Sequence, residues 1–118
     1  MSEALNQFKE YRAKMNERIL NEDNRVIKRI FSVDSLVYSQ DSALPKSTKE
    51  LLGLVSSLVL RCDDCVKYHI EESVKSGLSH EEIVEAMSIG LVVGGTIVIP
   101  HMRRAVEFLD EVEAALKD

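Results

Sequence analysis

Residues 62–69 read Cys-Asp-Asp-Cys-Val-Lys-Tyr-His and contain both cysteines of the chain. On an α-helix, offsets of three, four and seven residues fall on one face, so Cys62, Cys65 and His69 would point the same way. A helix N-terminus and a nearby imidazolium both favour a thiolate, so this pattern is typical of reversible thiol–disulfide or peroxide chemistry. The two aspartates between the cysteines oppose it, because their negative charge disfavours a thiolate.

Two other interpretations of the cysteines stay open at this point. Structural zinc usually has four ligands, but His80, His101 and the acids show no second Cys-x-x-Cys or His-x-x-x-His spacing. A free cysteine can also pack as a small hydrophobic residue. An intracellular Cys-x-x-Cys is more often catalytic or metal-binding than inert, and the histidine after the second cysteine favours redox chemistry.

Length and charge limit the classes of function. The 118 residues predict one domain, 1–118. Fifteen basic against twenty acidic residues give a net charge of −5, and there is no tryptophan. Nucleic acid is therefore not an expected partner. The first ten residues lack the basic segment and apolar core of a secretion signal, which predicts a cytoplasmic protein.

One apolar stretch covers residues 87–100 and is interrupted by Gly94, Gly95 and Pro100. It is shorter than the roughly 20 residues that span a bilayer, so no membrane partner is expected. Its apolar residues go all round a helix, which indicates burial on every side. A domain of this size rarely supplies that burial alone, so the stretch predicts a subunit interface and a homo-oligomer.

The chain shows helical periodicity throughout, without a strand pattern, and predicts an all-α domain of six helices. The expected helices are, approximately, 2–20, 21–39, 47–60, 62–77, 79–95 and 97–117. The first two would form a helical scaffold over residues 1–40, and residues 41–118 would form the redox core. Capping boxes at Ser47–Glu50 and Ser79–Glu82 would open the third and fifth helices, and Gly77 would supply the left-handed residue that ends the fourth.

The third and fourth helices should form an antiparallel hairpin that turns near residue 60. Positions equally far from the turn then face each other, which places Glu50 opposite His69. A carboxylate in that position would orient the imidazole as a base for Cys65. The alternative is that Glu50 only completes the helix cap. His80 is expected to be a solvated residue at a helix start, and His101 is given no role.

These residues resemble a known family. Glu50, eleven residues, Cys62-Asp63-Asp64-Cys65, three residues and His69 match the Glu-x11-Cys-x-x-Cys-x3-His signature of the alkyl hydroperoxidase D-like core, within the carboxymuconolactone decarboxylase family. The resemblance covers roughly residues 40 to 110. It implies an all-helical fold, cofactor-free peroxidase or disulfide reductase activity through the cysteine pair, and assembly into trimers or hexamers. No metal is expected.

By this resemblance, Cys62 and Cys65 form the redox pair, His69 is the base and Glu50 completes a proton relay. The expected enzyme is a peroxiredoxin-type oxidoreductase that reduces a hydroperoxide or a protein disulfide and is restored by a thiol reductant, with a hexamer as the expected assembly. Alkyl hydroperoxidase D has a histidine where this chain has Asp64, so one relay group differs. Lactone decarboxylation and a non-catalytic metal-binding or structural oligomer are the alternatives.

Overall fold

The computed structural model describes residues 3–117, which form six α-helices and one short 3₁₀ turn without a β-strand. The all-α prediction is confirmed, and the predicted first residue of the first helix, Ser2, lies outside the described residues. The elements are α1 (Glu3–Leu20), α2 (Arg25–Tyr38), α3 (Lys46–Val59), α4 (Asp63–Lys75), α5 (His80–Gly94), the 3₁₀ turn (Thr96–Val98) and α6 (Ile99–Lys117).

Helices α3 to α6 supply nearly all of the core. Their apolar stripes meet in one cluster whose side chains are fully buried, namely Leu54, Leu58, Ile70, Ile83, Met87, Leu109 and Val112. Burying one such side chain contributes about 1.5–3 kcal/mol. From α1, Leu5 joins this core, and Phe8 packs edge-to-face on Phe108 at 5.4 Å between ring centroids. The core therefore fixes α3 against α4, the two helices that carry the predicted site.

Local signals explain most of the helix ends. The capping box at the start of α5 is present, since Ser79 N–H donates to Glu82 Oε1 over 2.9 Å and Glu82 N–H donates to Ser79 Oγ over 3.1 Å. Gly77 has a φ of +87°, as predicted for the end of α4. The predicted start of α2 at residue 21 is wrong, because Asn24 accepts from the N–H groups of Val26 and Ile27 and starts the helix later.

The predicted capping box at the start of α3 is also wrong. Pro45 is the N-cap residue and makes no side-chain cap, so α3 begins at Lys46, one residue earlier than expected. Asp41 Oδ1 accepts from the Lys46 N–H over 2.6 Å and satisfies one of the free donors of the first turn. The side chain of Glu50 is not needed at the helix end and turns into the protein.

The turn between α3 and α4 positions the first cysteine. The Cys62 N–H donates to Ser57 O and the Arg61 N–H donates to Leu58 O, both over 3.0 Å, which is a Schellman motif. Arg61 has a φ of +61°, in the left-handed region where glycine is usual. Two residues, Leu60 and Arg61, therefore separate the end of α3 from Cys62, the N-cap of α4.

Two apolar surfaces have no cover among residues 3–117. No residue of α2 is buried, and Val26, Ile30, Val33 and Leu36 are exposed, the last by 73%. The apolar stretch that ends α5 puts Met87 in the core but leaves Val92 84% exposed. Complete burial of this stretch is therefore not achieved within one chain. No helix among residues 3–117 has the length and apolar character that crossing a membrane requires.

Candidate active site

Cys62 and Cys65 are joined by a disulfide, with their Cα atoms 5.3 Å apart. Cys62 is the N-cap residue of α4, and its sulfur accepts from the Cys65 N–H over 3.2 Å. The unpaired N–H groups of a helix start carry partial positive charge, so this position favours a thiolate after reduction. The predicted redox pair is therefore in contact and lies where the helix itself supports its ionisation.

The imidazole of His69 is held by a buried carboxylate. His69 Nδ1 lies 2.9 Å from Glu50 Oε1, so the structure brings together the two residues that the hairpin geometry pairs. Glu50 accepts this bond as a carboxylate, which places the proton of a neutral imidazole on Nδ1. The lone pair on Nε2 is then free to accept a proton. Since Cys65 and His69 are four residues apart on α4, their Cβ atoms are about 5–6 Å apart.

Lys46 completes the surroundings of Glu50. Its Nζ lies 2.8 Å from Glu50 Oε2 and 3.5 Å from Glu72 Oε1, so each oxygen of Glu50 has one partner. Glu50 is fully buried, with 0% of its surface exposed. Burial opposes the ionisation of Glu50, but the hydrogen bonds from His69 and Lys46 outweigh it and lower the pKa of the carboxyl below its usual value. Glu50 is therefore a fixed negative charge behind the imidazole.

Three residues hold the plane of the His69 ring. A Cβ at Gly53 would lie 2.5 to 2.8 Å from three ring atoms, so the imidazole rests directly on the backbone of α3. The rings of Tyr38 and Tyr68 each lie 5.2 Å from the imidazole, between centroids. Burial, and secondarily nearby carboxylates, raise the pKa of both phenols, so both stay neutral at physiological pH. Only a residue without a side chain at position 53 permits this packing.

Cys65 and His69 open into one cavity of about 250 Å³. Its lining comes from three helices: Arg12 and Asn16 of α1, Ile30, Phe31 and Asp34 of α2, and Asp64, Cys65, Tyr68 and His69 of α4. The cavity therefore combines apolar walls with two carboxylates and one guanidinium. Arg12 lies over the Tyr68 ring, 4.2 Å from its centroid, which fixes the charge at the wall by a cation–π contact. Cys62 is not part of the lining.

Comparison with known proteins places this chain in a family. The sequence model of the carboxymuconolactone decarboxylase family matches residues 25–108, most of the chain. The chain belongs to the carboxymuconolactone decarboxylase family. The match begins at the first residue of α2 and ends within α6, so it includes both cysteines, Glu50, His69 and part of the cavity wall.

Solved members of the family share the fold. A family protein of Thermotoga maritima, for which a part in the antioxidative response has been suggested, is 51% identical with a TM-score of 0.89, over 94% of this chain and 93% of that one. A family protein of Legionella pneumophila is 22% identical with a TM-score of 0.83, over 94% and 98% of the two chains.

Among sequence relatives, protein 4 of the cox locus of Paracoccus denitrificans is 30% identical over 81 residues, 69% of this chain and 73% of that one.

Several residues of this candidate site were not predicted from the sequence. Lys46 precedes Glu50 by four residues, and that spacing of opposite charges was a usable signal. Gly53 stands within an apolar helix three residues after Glu50, on the same face, which also indicates close packing. The contributions of α1 and α2 to the cavity had no sequence signal, because they depend on how those helices pack against α4.

The other two histidines also pair with carboxylates. His80 Nδ1 lies 2.7 Å from Glu113 Oε1, at the exposed start of α5 as predicted. Together with Asp110 they form a group of possible metal ligands within 4.8 Å of one another, distant in sequence from both cysteines. His101 is partly buried, and its Nδ1 lies 2.8 Å from Asp63 Oδ1.

Proposed function

We propose that this protein is a small thiol oxidoreductase that reduces hydroperoxides, with a protein disulfide as the alternative substrate. The observation that carries this proposal is that Cys65 lines a cavity beside His69, while Cys62, which does not line that cavity, is bonded to Cys65. The relative from Thermotoga maritima, with its suggested antioxidative role, supports the same class of chemistry. An external thiol would restore the dithiol in the reducing cytoplasm that we propose as its location.

The relay suits Cys65 as the attacking thiol. His69 Nε2 takes the Cys65 proton, and the thiolate attacks the terminal oxygen of the hydroperoxide. The O–O bond breaks, Cys65 becomes a sulfenic acid, and the alkoxide takes the proton back from His69 Nε2 and leaves as an alcohol. Cys62 then attacks the Cys65 sulfur, water leaves, and the disulfide forms. A dithiol reductant returns two electrons and two protons through a mixed disulfide.

Each residue has a distinct part in this proposal. Glu50 holds the proton on Nδ1 of His69, so that Nε2 is the acceptor. Lys46 compensates the charge of the buried Glu50, and Gly53 lets the imidazole reach its place. The disulfide joins residues only three apart in sequence, so opening it frees little chain and the fold should persist in both forms.

Stopped-flow measurement of the reduced protein with a hydroperoxide tests the proposal. We expect loss of two thiols per chain, unchanged helical circular dichroism, and sulfenic acid trapped on Cys65 in Cys62→Ser. Cys65→Ser should not react at a comparable rate. Two thiols that persist in excess hydroperoxide and in excess of a small disulfide would contradict the proposal. Stoichiometric zinc held by both thiols in untagged protein would instead favour the metal-binding alternative.

We also propose that the chain assembles as a homo-oligomer, with the hexamer suggested by the family resemblance. The support is the uncovered apolar surface on α2 and at the end of α5, together with Leu60, which is 78% exposed. Exposed patches of this kind in soluble proteins are usually interfaces. Light scattering of the wild type and of Val92→Glu tests this, since a monodisperse monomeric wild type would contradict it.

A further inference from the structure

Asp63 forms a cluster with two residues of α6, His101 and Arg104, and none of the three lines the cavity beside Cys65. Arg104 Nε donates to Asp63 Oδ2 over 2.8 Å, and His101 Nδ1 lies 2.8 Å from Asp63 Oδ1. Both oxygens of this carboxylate therefore have a partner from α6. The proposed thiol chemistry does not use any of these three side chains.

The position of Asp63 makes its charge important. It directly follows Cys62 and is the first residue of α4, so its Cα lies about 3.8 Å from that of the cysteine. An uncompensated carboxylate there would oppose the helix N-terminus and disfavour a thiolate. Burial opposes the ionisation of Asp63, but the hydrogen bonds from His101 and Arg104 lower its pKa, so it carries its charge.

We infer that Arg104, supported by His101, compensates the charge of Asp63 and thereby keeps the Cys62 thiol readily ionised once the disulfide is reduced. The inference rests on the proposed thiol chemistry, in which a Cys62 thiolate closes the disulfide. Arg104 and Asp63 are positioning residues here, since they act on Cys62 through its surroundings. A salt bridge that only fastened α4 to α6 would have no such effect on the sulfur.

Two substitutions separate the two roles. Arg104→Gln and Asp63→Asn both remove the ion pair between α4 and α6, but they leave opposite charges beside Cys62. After Arg104→Gln the carboxylate is exposed to the thiol, and the Cys62 pKa should rise. After Asp63→Asn the guanidinium stays, and the Cys62 pKa should fall. A purely structural bridge predicts shifts in the same direction or none.

The measurement is the pH dependence of iodoacetamide alkylation in reduced protein with Cys65→Ser, where Cys62 is the single thiol. We expect shifts equivalent to about threefold to tenfold in the thiolate fraction, about half a unit to one unit in pKa. The other charged groups around the turn stay the same in every variant: Arg61, His69, and Asp64, which lies 4.0 Å from Arg12 of α1.

Two controls complete the test. Arg103→Gln removes the same charge from the exposed neighbouring position of α6 and should shift the Cys62 pKa much less than Arg104→Gln. Arg104→Lys keeps the charge and should stay near the wild-type value. Equal shifts for the two glutamine variants, or shifts of the same sign for Arg104→Gln and Asp63→Asn, would overturn the inference. Thiol ionisation is measured without peroxide, so failure of the peroxidase proposal would be seen separately.

Discussion

Two of the three histidine–carboxylate pairs described above have nearly the same contact distance and very different surroundings. His69 lies 2.9 Å from Glu50, between α3 and α4, and His80 lies 2.7 Å from Glu113, between α5 and α6. Glu50 is completely buried, whereas the side chain of His80 is 45% exposed. The contact distance is therefore a poor guide to what each pair does.

The surroundings of each pair decide whether its histidine is a candidate base. Around His69, the backbone of Gly53 and two tyrosine rings fix the imidazole, and Cys65 lies one helical turn away. Around His80, solvent screens the pair, and exposed ion pairs of this kind contribute little to stability. A hydrogen-bonded histidine thus becomes a candidate base only where packing holds it beside a group that has a proton to give.

The largest expected effect is on His69. His69→Ala should slow the reaction of the reduced protein with hydroperoxide at neutral pH by about 10²–10⁴-fold, the usual range for general-base help. Glu50→Gln should slow it less, because Nε2 remains although its orientation is weakened. Stopped-flow rates measure both changes, and His80→Ala is the matched control. Equal rates for His69→Ala and His80→Ala would remove the distinction between the two pairs.

Gly53→Ala tests the packing that distinguishes the buried pair. The new Cβ would meet the imidazole ring within 2.5 to 2.8 Å, so the ring must move. A displacement of about 1 Å can cost up to about 10²-fold in rate, and we expect a loss of that order or smaller.

Ser56→Ala, at an exposed position of the same helix, is the control for the alanine itself. Helical circular dichroism and thermal unfolding show whether the fold is kept. A full rate in a folded Gly53→Ala variant would mean that the ring does not need this position.

The stability of the protein at low pH should reveal the contribution of the buried Glu50 carboxylate. The pKa of Glu50 is lowered in the folded protein from its ordinary value of 4.5, so its stabilising contribution is present above that pH and is lost as the pH falls through the folded pKa. The free energy of unfolding of the wild type should therefore decline more steeply below about pH 4.5 than that of Glu50→Gln. Urea titrations of both proteins over the acidic range measure this. Parallel curves would show that Glu50 is not the group responsible.

The smallest effect is expected for the exposed pair of His80 and Glu113. The hydrogen bond and charge of Glu113 raise the pKa of His80 above its ordinary 6.5, so the contribution of protonated His80 to stability is present below that value and is lost as pH rises through the folded pKa. NMR titration of the imidazole should show the raised pKa, and Glu113→Gln should return it towards the ordinary value. The peroxide rate should not follow this titration.

The sequence predicts the fold and the pairing at the site because both depend on local spacing. Helical periodicity and the capping box of α5 mark helices directly, and the short turn near residue 60 sets Glu50 opposite His69. The spacing of the cysteines and His69 on one helix face needs no long-range contact. The roles of these four residues remain predictions until the rates are measured.

The remaining features of the site depend on which of several possible partners each side chain contacts, and local sequence patterns do not show this. The Ser47–Glu50 pattern predicts a cap, but Pro45 and Asp41 serve the helix end, and Glu50 instead bonds His69 and Lys46. Asp63 was expected to disfavour the thiolates, yet partners from α6, about forty residues later, compensate its negative charge. Contacts between distant helices decide such cases.

The absence of buried residues in α2 has a consequence for how the cavity opens. A helix of 14 residues is only marginally stable in water by itself, and α2 has little packing to add. In a single chain, its amide hydrogens should therefore exchange with solvent much faster than those of α3 to α6. The floor of the cavity, on α4, would be rigid, while the wall that carries Ile30, Phe31 and Asp34 unfolds locally at low cost. Entry to Cys65 would then depend on the local stability of α2, and whatever covers α2 would slow that entry.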